Sequence, residues 1–146
     1  MIDKKFSLSK KYCLITGAAG LLGSEHAQAI LEIDGNVILT DIDIKKLKKI
    51  TENIKRKFNK SNILSFKMDV TKTNEIKKVF DNLKKNKIEV DILINNAAID
   101  SKVKKMGLRN SNSFEKFSLN DWEKQISVGL TGSMLCSQIF GSAMSK

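Results

Sequence analysis

The stretch from Leu14 to Ala27, LITGAAGLLGSEHA, decides how the rest of the chain is read. Glycine recurs there at every third position, as Gly17, Gly20 and Gly23, straight after a run of strand-forming residues. A glycine inside a helix or strand costs about 0.5–1 kcal/mol relative to alanine, so such a cluster needs a reason. A strand that enters a helix through a glycine-rich turn is the arrangement that seats the pyrophosphate of a dinucleotide. On that reading Gly17 makes the tight turn, Gly20 lets the backbone approach the phosphates, and Gly23 lets the helix pack close to the strand. Ala19, Leu21 and Leu22 complete the turn and the first helical residues, where free N–H groups and the positive dipole end face an anion. On this motif alone, a helix-entry loop without a ligand stays open as the other reading.

The next segment adds an independent feature. Asn36 to Thr40 (NVILT) reads as a second strand, and it ends at Asp41, about 20 residues past the glycines. A carboxylate there accepts the ribose hydroxyls of NAD and repels the 2′-phosphate of NADP. Ile42 follows, with no arginine, so NAD is the expected cofactor and NADP the less favoured one. Asp41 beside Asp43 also suits a simple turn. Glycines, strand, acid and spacing together favour the dinucleotide site.

Outward from this unit, apolar runs and amphipathic stretches alternate. Tyr12 to Thr16 is the first strand, and a helix from about Leu22 to Ile33 is expected to end at Gly35. Ile44, Leu47, Ile50, Ile54 and Phe58 form the apolar stripe of a second helix. Ile63 to Met68 is a third strand, after which a Thr/Asn cap region opens a helix carrying Ile76, Val79, Phe80 and Leu83. Val90 to Ile94 is a fourth strand. The order βαβαβαβ predicts an α/β fold, a parallel sheet covered on both faces, in one unit over residues 1–146. Residues 97–117 show no clean period and are expected to form a loop that covers or builds a site. Ser118 reads as an N-cap, and residues 119–144 as a long helix whose low charge predicts burial against the sheet or a partner subunit.

Composition narrows the classes. The 146 residues are 41% hydrophobic and 29% charged, as in a soluble globular protein. No apolar run approaches the roughly 20 residues needed to span a bilayer, and no secretory signal opens the chain, so the cytoplasm is the expected location and no membrane partner is expected. The net charge of +10 comes from lysines spread over several helical faces, with a single tryptophan and a single tyrosine. That pattern is a solvated surface rather than a nucleic-acid interface. Cys13, Cys136 and His26 have no metal-ligand spacing, so no metal site is expected.

With these residues in view, the chain from Lys11 onward resembles the short-chain dehydrogenase/reductases, and four motifs match in order. TGAAGLLG (Thr16 to Gly23) is similar to the family's cofactor-binding turn. Asp69-Val70-Thr71 resembles its acidic residue after the third strand, which the resemblance implies contacts the adenine. Asn95-Asn96-Ala97-Ala98 resembles its NNAG element, implying that Asn96, Ala97 and Ala98 brace the sheet beside the cofactor. Trp122 to Gly132, ending VGLTG, is similar to the start of a helix that normally reads VNLTG. The resemblance implies a Rossmann-type sheet, NAD as cofactor, and hydroxyl/ketone interconversion on a small molecule.

Three departures stand beside it. Gly20-Leu21 reverses the order usual in the single-domain branch and has the spacing of the extended, nucleotide-sugar-modifying branch, whereas the other motifs favour the single-domain one. Gly129 stands where the resemblance leads one to expect a catalytic asparagine. The family's catalytic serine and Tyr-x-x-x-Lys pair are not in this sequence, so no catalytic residue is assigned; Tyr12 is no substitute, since Thr16 stands where the lysine would be. The sheet is therefore expected to be incomplete, truncated before a fifth strand, with weak standalone stability. The alternative is a non-catalytic dinucleotide-binding or redox-sensing protein. AAIDSKV and VGLTGSMLCSQIFGSAM also resemble oxidoreductases of flagellin modification and surface-sugar biosynthesis, which implies a sugar-derived substrate. The last helix commonly pairs subunits in the family, implying a homo-oligomer.

Overall fold

The computed structural model describes residues 6–99 and 114–145. Four strands, β1 (Tyr12–Thr16), β2 (Asn36–Asp41), β3 (Ile63–Lys67) and β4 (Ile92–Ile94), form one sheet in the order β3-β2-β1-β4, with every pairing parallel. Three helices connect them: α1 (Leu21–Glu32), α2 (Ile44–Lys57) and α3 (Thr73–Lys85). This is the Rossmann-type α/β sheet expected. The order changes direction at β1, which lies between β2 and β4, and a crevice opens at such a switch point beyond the carboxyl ends of the strands.

The alternation of side chains along each strand builds two cores. Cys13 and Ile15 of β1, with Val37 and Leu39 of β2, pack under Ala27 and Leu31 of α1 and Leu47 and Ile54 of α2. Leu14 and Ile38 point the other way, onto Ile76, Val79 and Leu83 of α3 and onto Cys136 and Phe140. Both faces are covered, so the central strands read as continuous apolar runs. Each fully buried aliphatic or aromatic side chain contributes about 1.5–3 kcal/mol. Phe80 and Phe140 close the second core edge to face, with ring centroids 5.8 Å apart. Burial pushes the Cys13 thiol up to about 12 and the Cys136 thiol up to about 11, so both remain protonated packing residues.

Three local expectations are corrected. The residue that turns the chain at the end of α1 is Asp34, at φ 66°, not Gly35. The Asp34 and Gly35 N–H groups donate to the carbonyls of Leu31 (3.2 Å) and Ile30 (3.0 Å), a Schellman closure with aspartate in the left-handed position. Gly35 serves instead by its size, because a Cβ would lie 2.7 Å from Ile30 Cγ2. α3 opens at Lys72 without a side-chain cap, in place of the expected Thr/Asn cap. Its start is held from outside, where the Asp69 N–H donates to Glu75 Oε2 at 2.9 Å. β4 is shorter than Val90 to Ile94 and begins at Ile92. Asp91, just before it, ties the base of β1 twice: its N–H donates to Tyr12 O (2.9 Å), and its carboxylate accepts from the Tyr12 N–H (2.9 Å) and from Lys11 Nζ (2.7 Å).

Beyond a 3₁₀ turn at Phe114–Lys116, a helical run covers residues 119–144 as α4 (Leu119–Ile126), α5 (Gly132–Cys136) and α6 (Ser142–Met144). Wide π turns, Ser127–Thr131 and Ser137–Gly141, join them. Ser118 caps α4 as expected, its Oγ accepting from the Asp121 N–H at 3.1 Å. The burial expected of this run holds for one face only. Gly132, Cys136 and Phe140 are buried, whereas Leu130 and Met134 remain 65% and 52% exposed. Most of the loop expected over residues 97–117 lies outside the described residues. Among the described residues, no helix is long and apolar enough to cross a membrane.

Candidate functional site

The glycine turn sits where β1 hands over to α1, level with the end of β2, since Thr16 pairs with Thr40. Gly17 adopts φ 62°, which side-chain-bearing residues rarely take, and a Cβ on it would lie 2.8 Å from Ala97 Cα. Gly20 is the N-cap of α1 and offers no side-chain hydrogen bond to the helix. The first-turn amides, at Leu21 and Leu22, thus receive no cap from within, and no acidic residue stands in that turn. Gly23 is pressed against the turn: a Cβ there would lie 2.5 Å from Gly17 O and 2.7 Å from Ala18 Cα.

Asp41, at the end of β2, reaches across to this turn. Its Oδ2 accepts from the Ala19 N–H at 2.9 Å and its Oδ1 from the Asp43 N–H at 2.8 Å. The acid singled out in the sequence is therefore hydrogen-bonded to the glycine turn, through Ala19. Ile42 beside it is 60% exposed, as are Leu21 (82%) and Leu22 (63%) at the start of α1. These three give the site an apolar rim.

From the other flank, the Asn96 side chain braces the turn, its Nδ2 donating to the carbonyls of Thr16 (2.9 Å) and Gly17 (3.1 Å). Thr16 Oγ1 in turn accepts from the N–H groups of Asn96 and Ala97, each at 3.0 Å. Sequence reasoning missed Thr16 as a site residue. The signal was present, a buried hydroxyl directly before the first glycine, but its partners lie about 80 residues away and only the β1–β4 pairing reveals them. Asn95 donates from Nδ2 to Ser137 Oγ at 3.0 Å, linking the end of β4 to the second π turn. Ala98 and the neighbouring Ile99 are exposed beyond the brace.

Asp69 and Val70 follow β3. Asp69 Oδ1 accepts from both the N–H and the Oγ1–H of Thr71, at 2.9 and 2.7 Å. Val70 is buried against Gly132, where a Cβ would approach its Cγ2 to 2.7 Å. Asp69 is thus oriented by its own turn, and Val70 joins the core cluster onto which Ala97 packs. Gly129 lies within the first π turn, and a Cβ there would meet nothing within 4 Å. Its carbonyl accepts from Ser133 Oγ at 2.6 Å. Gly129→Asn is accordingly expected to fold normally, with stability within about 0.5 kcal/mol of the parent by urea denaturation; a large loss would mean that the glycine is needed for the π turn itself.

Among the described residues, no group of three His, Cys, Asp or Glu side chains is arranged to hold a metal ion. A hollow of about 880 Å³ lies away from this site, between Phe80 and Leu83 of α3, Val90 and Asp91 before β4, and Phe140 and Met144 of the last helical run.

Known proteins resemble the chain over nearly its whole length. A Gibberella zeae protein named short chain dehydrogenase/reductase dpfgG is 33% identical over 91% of this chain and 45% of its own length. The NAD-dependent glycerol dehydrogenase of Listeria innocua is 32% identical over 97% of this chain and 50% of its own length. The chain thus spans about half the length of these curated relatives. A crystal structure of a Burkholderia phymatum short chain dehydrogenase/reductase in complex with NAD superposes with a TM-score of 0.79, at 21% identity, covering 95% of this chain and 46% of that one; at that identity the likeness concerns the fold. With residues 11–146 matched by the model of the short chain dehydrogenases, the chain belongs to that family.

Proposed function

We propose that this chain is the NAD-binding Rossmann unit of an oxidoreductase that interconverts a hydroxyl and a ketone on a small, sugar-like or polyol substrate. The observation that carries the reading is the junction of three features: a left-handed Gly17, an uncapped α1 start at Gly20, and an Asp41 carboxylate 2.9 Å from the Ala19 N–H. This donor and acceptor set fits a dinucleotide. The Leu21 and Leu22 amides receive the pyrophosphate, Gly23 keeps α1 close enough to do so, and Asp41 takes the adenosine ribose. Asp69 and Val70 flank the adenine, with Ile42 as an apolar neighbour. Asn96, Ala97 and Ala98 hold the side nearer the reacting end. When bound, the nicotinamide supplies the hydride acceptor or donor.

The name of the Listeria innocua relative supports both NAD and a polyhydroxylated substrate. Exposed Leu130 and Met134 support a subunit contact along the last helical run in the whole protein.

Calorimetric titration tests the reading. NAD is expected to bind more tightly than NADP, and Asp41→Ala to weaken NAD by about tenfold while narrowing the difference, as for loss of charge-assisted hydrogen bonds. Absence of NAD binding, or an unaltered NAD/NADP ratio in the variant, would remove the basis for the assignment. A hydride-transfer assay with polyols on the whole protein then tests the activity.

A further inference from the structure

We infer that Asp41 is also the positioning residue of the pyrophosphate turn, so that ribose recognition and phosphate seating are parts of one coupled device. The inference rests on the dinucleotide reading above and extends it from what Asp41 binds to what Asp41 holds in shape.

The N–H groups of the turn carry the argument. Three consecutive amides are satisfied within the protein: Ala18 N–H donates to Thr40 O at 2.9 Å, Ala19 N–H to Asp41 Oδ2 at 2.9 Å, and Gly20 N–H to Gly17 O at 3.0 Å. Two of them end on β2, and only the middle one ends on a side chain. On the β4 flank the turn is held by the neutral amide of Asn96 through the carbonyls of Thr16 and Gly17. It is therefore suspended between two side chains, one of them charged.

A hydrogen bond to a carboxylate is roughly twice as strong as a neutral one, so the single Asp41 bond restrains the turn about as much as the two Asn96 bonds together. Its second oxygen is fixed by the Asp43 N–H, and Asp43 itself caps α2 by accepting from the Lys45 and Lys46 N–H groups at 3.1 Å each. The carboxylate thus bridges the turn before α1 to the start of α2.

An ionised carboxylate has about four lone-pair sites, and the two amides use two of them. Two remain, the number that a ribose diol needs. A ribose carrying a 2′-phosphate meets more than a repelling charge: to make room, the carboxylate has to leave the Ala19 N–H, and the turn beneath the pyrophosphate loses its support. Discrimination then acts at the phosphates as well as at the sugar.

The test uses a ligand without the hydroxyls that Asp41 would read. ADP and 2′,3′-dideoxy-ADP are titrated into the whole chain and into its Asp41→Ala and Asp41→Asn forms. A positioning role predicts that dideoxy-ADP binds Asp41→Ala about tenfold more weakly than the parent, a change of about 1.4 kcal/mol. Asp41→Asn, which keeps one acceptor oxygen for an amide, is expected to recover part of that loss. Amide hydrogen exchange gives a readout that needs no ligand: exchange at Ala19 should quicken in Asp41→Ala while Ala18, bonded to Thr40 O, stays as in the parent. Equal affinity of parent and variant for dideoxy-ADP would leave Asp41 as a sugar reader only and overturn the inference. If the parent binds neither nucleotide, the dinucleotide reading itself fails, and this inference with it.

Discussion

Gly23→Ala is expected to lower NAD affinity by about a hundredfold, as for a displacement of about 1 Å in a positioning element. The added methyl would stand 2.5 Å from Gly17 O and 2.7 Å from Ala18 Cα, and both are backbone atoms that have no rotamer to yield. The Asn96 amide, at 3.0 Å, closes the third side. Relief must come from moving α1 away from the turn, and that movement takes the Leu21 and Leu22 amides off the anion. Overpacking of this kind costs about 1–3 kcal/mol, so the variant should remain folded but melt at a lower temperature. Calorimetric titration with a thermal melt on the same sample reads both effects. Wild-type NAD affinity in this variant would mean that close helix-to-turn packing is not what seats the phosphates. Gly20→Ala separates packing from ligand approach: a Cβ there would touch only Gly17 O, at 3.2 Å, so its melting temperature should fall less than that of Gly23→Ala, and any loss of NAD affinity would report the approach of the phosphates themselves.

The second large effect is expected at Thr16, which is 1% exposed. Thr16→Val preserves the shape of the side chain and removes the oxygen that accepts from the Asn96 and Ala97 N–H groups. Each orphaned amide costs about 1–3 kcal/mol, and because this region is partly buried the pair should sum to about 2–4 kcal/mol. Thr16→Ser keeps the acceptor and should lose far less. Urea denaturation distinguishes them: the midpoint of Thr16→Val should fall well below that of Thr16→Ser with little change in slope. If the two variants unfold at the same midpoint, the hydroxyl is not what ties β1 to the segment after β4. Loss of this tie should also weaken NAD binding, because Asn96 would no longer be held in position to brace Gly17.

Much of this arrangement was legible in the linear sequence because its determinants are local. The two-residue alternation of Cys13, Leu14 and Ile15, and of Val37, Ile38 and Leu39, already sorts side chains to two faces, and both cores follow it. The glycine spacing stands for a backbone conformation and two close approaches, and the structure places such constraints at Gly17 and Gly23. Ser118 is recognisable as a cap because its partner is three residues away.

Features that were misread have competing or distant partners. Gly35 and Asp34 compete for one turn, and aspartate takes the left-handed position because the glycine is needed where Ile30 leaves no room for a Cβ. Val90 and Asp91 have strand-like neighbours, yet the Tyr12 N–H is taken by the Asp91 carboxylate rather than by a backbone carbonyl, and the regular strand begins only at Ile92. In the last helix, low charge was visible but the two π turns were not. Their neighbours are distant in the chain: Gly132, directly after the first turn, lies against Val70, and Phe140, within the second, packs on Phe80.

The sequence by itself determined the parallel α/β order, the composition of both core faces and the candidate dinucleotide turn with its acidic partner, because periodicity and glycine stereochemistry act over a few residues. Only the tertiary structure decided that Asp41 holds the Ala19 amide and that Thr16 and Asn96 clamp the turn from β4. Those hydrogen bonds join residues about 20 to 80 positions apart in the chain. They exist because the sheet order sets β2 and β4 on either side of β1, where backbone groups at the strand ends must find partners or be left unsatisfied.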